Sequence, residues 1–159
     1  MATEHREQTR GGEPHYQHLA IMAALSLVAM YFLMYAMVDR PANIYGNLNQ
    51  FFMAGLMTAP MIVIELVVMR GMYPNARRNA IIAIVSIALG VAMFLFIRRQ
   101  TAIADEQFLR SMIPHHSSAI LMCERAKLRD PRLRELCDAI IDSQQEEIAQ
   151  MTAMLELGQ

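Results

Sequence analysis

The chain is short of the residues that mark the commoner chemistries. Among 159 residues there are only two cysteines, too few for a disulfide framework, and neither a Cys-x-x-Cys pair nor the spacing of a zinc site occurs. No nucleophile stands with a partnering base and no phosphate-binding loop is present, so hydrolytic enzymes are left without their machinery and no catalysed reaction is expected. Net charge is −1, with no basic run long enough to grip a phosphate backbone, which excludes nucleic acid as a partner. The first long apolar run is not followed by a small-residue cleavage site, so it reads as a retained span and not a removed signal peptide.

What the chain has in abundance is apolar side chains. They make up 55% of the residues, high for a soluble domain, and mean hydropathy is positive. Residues 1–18 form a polar tail with Gly11, Gly12 and Pro14, expected to be mobile; its histidines His5, His15 and His18 share no helical face, so a solvated tail is favoured over a metal trap. Residues 19–99 are expected to hold three membrane spans at about 19–38, 51–69 and 80–97, each near the length a bilayer requires.

Two features of the spans invite a functional reading. In the second, Met53, Met57, Met61, Glu65 and Met69 recur at four-residue steps along one drifting helical stripe, past Pro60. Glu65 is the one ionisable residue well inside a span, and an acid in hydrocarbon costs a few kcal/mol even on permissive scales. It reads equally as part of an ion path or as a group bonded to a neighbouring helix or close enough to the interface to reach water. Met30, Met34 and Met37 make a second stripe on the first span, for which ordinary packing is favoured over a soft-ligand route. In the third span Ser86 and Gly90 are four apart, a small-residue pair that permits close helix contact.

Residues 100–159 read as a helical hairpin. Both halves show three- and four-residue apolar steps, and Asp130-Pro131 between them supplies an N-cap and a proline at the first helical position. So short a turn makes the helices antiparallel, which puts Cys123 level with Cys137, and His115 and His116 level with Gln144 and Glu147. The expected seam is Phe108, Met112, His115, Ala119, Met122 and Ala126 facing Leu133, Cys137, Ile140, Gln144, Glu147, Met151 and Met154. Imidazole, amide and carboxylate among methionines are costly to bury unless something pairs with them, and a metal ion is an economical candidate. The alternative is a hairpin whose polar residues specify pairing register. Linker residues 100–107 contain neither glycine nor proline, so the third span is expected to continue as helix towards the hairpin, with Pro114 interrupting it before the histidines.

The ordered motif MIPHHSSAILM, followed by LCDAIIDSQQEEIAQM, resembles the family called domain of unknown function 305. Its pattern of Met, two residues, His-His, then Ala and Met, and later Gln, two residues, Glu-Ile and Met is matched by Met112, His115, His116, Met122, Gln144, Glu147 and Met151. The resemblance covers roughly the last third of the chain. It implies a ferritin-like helical bundle, commonly outside the cytoplasm, with copper binding in some members; Cys123 and Cys137 are additions that the broader family often lacks.

Together these point to an all-α protein: three transmembrane helices followed by an antiparallel hairpin that forms half of a ferritin-like bundle. Thioether with neutral imidazole suits copper(I), while a nearby carboxylate admits copper(II), zinc or iron. The expected ligands are Met112, His115, His116, Met122, Glu147 and Met151, with Gln144, Cys123, Cys137 and Met154 supporting or additional. The cysteines read as buried thiols first, with a disulfide or a soft-metal pair as alternatives. A di-iron enzyme is disfavoured, because no Glu stands three residues ahead of either histidine. Two helices alone have little core, so a homo-oligomer is expected. The function that follows is a membrane-anchored binder that captures or buffers copper, multi-pass in the cytoplasmic (inner) membrane. A slight arginine excess puts the amino terminus inside and the hairpin outside. The alternatives are a copper or other soft-metal transporter subunit using Met53, Met57, Met61 and Glu65, or a structural or sensing module without metal.

Overall fold

A computed structural model describes residues 2–158, with side chains from Pro14 onward. Among the described residues the fold is all-α: five helices, α1 (Ala2–Leu33), α2 (Leu48–Val68), α3 (Ala76–Arg99), α4 (Asp105–Arg125) and α5 (Pro131–Leu157), with three short 3-10 turns and no strand. Three segments are long and apolar enough to cross a membrane: Pro14–Met37, Leu48–Val68 and Ala76–Arg99. They begin three to five residues earlier than the sequence predicts, because polar first turns are still helical. The polar stretch expected as a tail is helical from Ala2 and continuous with α1. The side chain of His5 lies outside the described residues, His15 is half-buried, and His18 is exposed.

The chain divides into two compact units. The first holds residues up to Phe32 together with Phe51–Thr101. In it α2 and α3 approach closely where both carry small residues: a Cβ on Gly90 would stand 3.1 Å from Cβ of Ala59, and Ser86 one turn away is buried. The expected small-residue contact is therefore made, since only a missing side chain lets two helix backbones come so near. Phe52 packs on Phe96 with ring centroids 5.4 Å apart. The Thr58 hydroxyl of α2 donates to the Ala54 carbonyl at 2.8 Å and stands 3.7 Å from the sulfur of Met30 on α1, so Met30 lies between these two helices, whereas Met37 of the same stripe is exposed.

The second unit joins Leu33–Gln50, the segment between the first two apolar helices, to the residues from Ala102 onward. Helix α3 does not run on into α4. It ends at Gln100 in the left-handed region (φ 50°), Ala102 is also left-handed (φ 60°), and α4 starts only at Asp105. A non-glycine residue there costs about 1–2 kcal/mol; the helix end is closed by the Gln100 N–H on the Ile97 carbonyl and the Thr101 N–H on the Phe96 carbonyl, the bonds of a left-handed C-cap. Pro114 does not interrupt α4 either; it is buried within a helix that runs from Asp105 to Arg125. Ser118 donates to its carbonyl at 2.9 Å. The start of α5 is as expected: Asp130 accepts from the backbone N–H of Arg132 at 2.9 Å, and Pro131 takes the first helical position.

Candidate functional site

Two contacts fix how α4 and α5 lie together. Cys123 and Cys137 form a disulfide, with Cα atoms 5.2 Å apart, and Nδ1 of His116 stands 2.8 Å from Oε2 of Glu147. Both pairings are those reached by counting from the Asp130-Pro131 turn. The preference for buried thiols is corrected: the sulfurs are bonded to each other, so neither is a thiolate ligand.

The buried stripe of α4 differs from the expected seam by one residue. Ile113, Ser117 and Ile120 are fully buried and Leu109 packs on the same core, whereas Phe108 and Met122 remain 49% and 56% exposed. His115 is exposed and Met112 and Ala119 are half-buried, so it is His116 that turns towards α5. One residue is a rotation of about 100°. On α5, Cys137, Ile140, Gln144, Glu147 and Met151 are half-buried as expected, but Ile148 and Leu155 take the core positions, and Leu133 and Met154 are exposed.

The cause of the rotation is a third element. The Leu33–Gln50 segment lies on α4 and is tied to it at Ser117. The Ser117 hydroxyl accepts from the backbone N–H of Asp39 at 2.8 Å and donates to the Asp39 carboxylate at 2.5 Å. That carboxylate also receives Asn43 at 2.6 Å and the Arg40 guanidinium at 2.8 Å, and its side chain is only 4% exposed. Burial pushes the Asp39 carboxyl up, but the bonds from Ser117, Asn43 and Arg40 and the charge of Arg40 outweigh that and hold it below the ordinary carboxylate value. Gln107 of α4 caps the first N–H of α2 at 3.0 Å, and Tyr45 packs on the α4–α5 core. With partners on two sides, α4 buries the stripe between them.

Sequence reasoning missed this group. Asp39 and Arg40 read only as the end of a span, and the signal that could have flagged Ser117 is its place on the same stripe as Ile113 and Ile120, where a lone hydroxyl needs a partner.

The seam brings one imidazole and one carboxylate to close range. Glu147 Oε2 lies within bonding distance of His116 Nδ1 but off the line of a ring N–H, so the buried nitrogen has no directed hydrogen bond. Two donors each 2.0–2.2 Å from one ion stand about 3 Å apart, so His116 and Glu147 fit as neighbouring ligands. Met151, one turn beyond Glu147 on α5, packs against the core of Ile113, Ile120, Ile148 and Leu155. Among the described residues, however, no three His, Cys, Asp or Glu side chains are gathered to hold an ion. His115 and Met122 look outward, and Gln144 is half-buried one turn from Glu147.

In the first unit the methionine stripe does not converge. Met53, Met57 and Met69 are 39%, 45% and 38% exposed on the outside and only Met61 is half-buried. Glu65, one turn from the end of α2, accepts the hydroxyl of Tyr73 at 3.2 Å, which is the arrangement of an acid held near a helix end. Tyr73 is buried and stacks on Tyr16, whose hydroxyl donates to Asn79 at 2.7 Å.

Residues 69–155 match the family described as Domain of unknown function (DUF305), and the chain belongs to that family. The match takes in α3 as well as α4 and α5, more than the last third. The chain is also 36% identical over 141 residues to "Uncharacterized protein L153" of Acanthamoeba polyphaga mimivirus, covering 87% of this chain and 91% of that protein. No solved structure matches.

Proposed function

We propose that this protein is a membrane-anchored metal-binding protein that captures or buffers copper on the extracytoplasmic side of the cytoplasmic membrane and catalyses no reaction. In this reading the three apolar helices span the bilayer, and α4 and α5 form an antiparallel hairpin, half of a ferritin-like bundle. The observation that carries it is the buried His116 nitrogen, 2.8 Å from a Glu147 oxygen yet without a directed bond; Met151, one turn beyond Glu147, is the nearest thioether along α5. Imidazole with thioether favours copper(I), and the carboxylate extends tolerance to copper(II) or zinc. The disulfide supports the extracytoplasmic side, since such bonds persist in oxidising compartments. A transport path along Met53, Met57, Met61 and Glu65 is less favoured, because the first two methionines face away from the chain's own helices.

The test is copper(I) competition against a chromophoric chelator, on the full chain in nanodiscs, with zinc and iron(II) in parallel. His116→Ala and Glu147→Gln are each expected to weaken copper by about tenfold or more. Failure of the unsubstituted protein to retain any of the three metals sinks the proposal.

A further inference from the structure

One face of the second unit is covered and the opposite face is bare. The Leu33–Gln50 segment covers α4 on the Ser117 side, where Arg40 and Asn43 meet Ile120, Ile148, Gln145 and Ala149 around a cavity of about 360 Å³. On the other side, residues one position before the inward-turned stripe of each helix share a single face at three-, four- and seven-residue steps: Phe108, Met112, His115, Ala119 and Met122 on α4, and Leu136, Ile140, Glu147, Met151 and Met154 on α5. Helices that run in opposite directions turn these positions the same way, because stepping back one residue rotates each by about 100° towards the same side of the pair.

We infer that this face docks against the same face of a second copy of the chain, and that His115 reaches the partner's Glu147 across it. Phe108, Met122, Leu136 and Met154 are 49%, 56%, 55% and 57% exposed. They leave roughly 400 Å² of apolar surface, a patch of the size that marks an interaction site on a monomer and a large part of the ~800 Å² per partner in a standard interface.

Three arguments select a second copy as the occupant. The face is self-complementary: a two-fold axis along the helices sets each α4 against the other α5 at equal height. The disulfide and the His116–Glu147 contact define that height, so His115 meets Glu147, Met112 meets Met151, Met122 meets Ile140 and Phe108 meets Met154. The one imidazole on the face thereby faces the one carboxylate, whose side chain is 45% exposed beside His116. And copies anchored in one bilayer share orientation, which such an axis requires. Resting on the metal reading above, the docked face adds a second imidazole to His116 and Glu147, bringing together three His or Glu donors where the described residues of one chain gather no such group.

The experiment measures the mass of the full chain in detergent, without metal, against Met122→Arg/Leu136→Arg on the bare face and Asp142→Arg on α5 as an exposed control. The unsubstituted chain and the control are expected to be dimers and the double variant a monomer, with helical circular dichroism and the disulfide intact in all three. A monomeric unsubstituted chain, or a double variant that stays dimeric, overturns the inference. Copper(I) retention then separates the two ideas. His115→Ala is expected to weaken it about tenfold in the dimer and less than twofold in the monomeric variant. Equal losses in both overturn the role of His115 across the interface, whereas dimers that hold no metal overturn the metal reading and leave the docking face standing.

Discussion

Replacing Ser117 by alanine should release the Leu33–Gln50 segment from α4. Ser117 is fully buried and makes two bonds to Asp39, one from its backbone N–H and one to its carboxylate. Alanine keeps the helix and the packing volume but leaves a buried N–H without an acceptor, at about 1–3 kcal/mol, and a nearly buried carboxylate short of one donor. Allowing a few tenths of a kcal/mol in return for alanine's better helix propensity, the net loss is about 2–3 kcal/mol. Amide exchange of the peptide covering residues 33–50 should then quicken by roughly 30- to 150-fold at neutral pH, since 1.4 kcal/mol is about tenfold. The same network predicts a pH dependence. The folded Asp39 carboxyl titrates below its unfolded value, so its contribution is fully present above pH ~4 and is lost as pH falls through the lowered folded value. Exchange of this peptide, corrected for its intrinsic rate, should rise on acidification below pH ~4 in the unsubstituted protein and respond less in Asp39→Asn. Unchanged exchange in Ser117→Ala would refute the argument that this hydroxyl holds the segment.

Two further outcomes follow from the geometry. Removing the disulfide with Cys123→Ser/Cys137→Ser opens a link across a sequence separation of 14, worth about 3 kcal/mol by chain entropy; thermal melting followed by circular dichroism should fall accordingly, with the helix content retained. Glu65→Gln should lower the pKa of Tyr73, which burial and then the Glu65 charge hold above the ordinary tyrosine value, and ultraviolet titration of the phenolate reads this directly. An unmoved Tyr73 would mean that burial alone holds its value up.

The rotation of the α4 seam shows where reading the chain from its pattern stops. Periodicity weighs Met112, His115, Ala119 and Met122 as one apolar stripe and Ile113, Ser117 and Ile120 as another, and either can face α5. The choice fell to Asp39, 78 residues from Ser117, whose carboxylate takes the Ser117 hydroxyl and so holds that stripe of α4 inward. Likewise nothing in the residue types at 100–104 announces the left-handed Gln100 and Ala102, since neither glycine nor proline is among them.

The helices, their three apolar stretches and the heights at which Cys123 meets Cys137 and the two histidines meet Gln144 and Glu147 were legible in the linear order of residues, because a helix advances by a constant step and a capped turn sets the count on either side. Which faces are covered was decided only in three dimensions. Burial is shared among all the elements that pack on a helix, and one of them comes from a distant part of the chain.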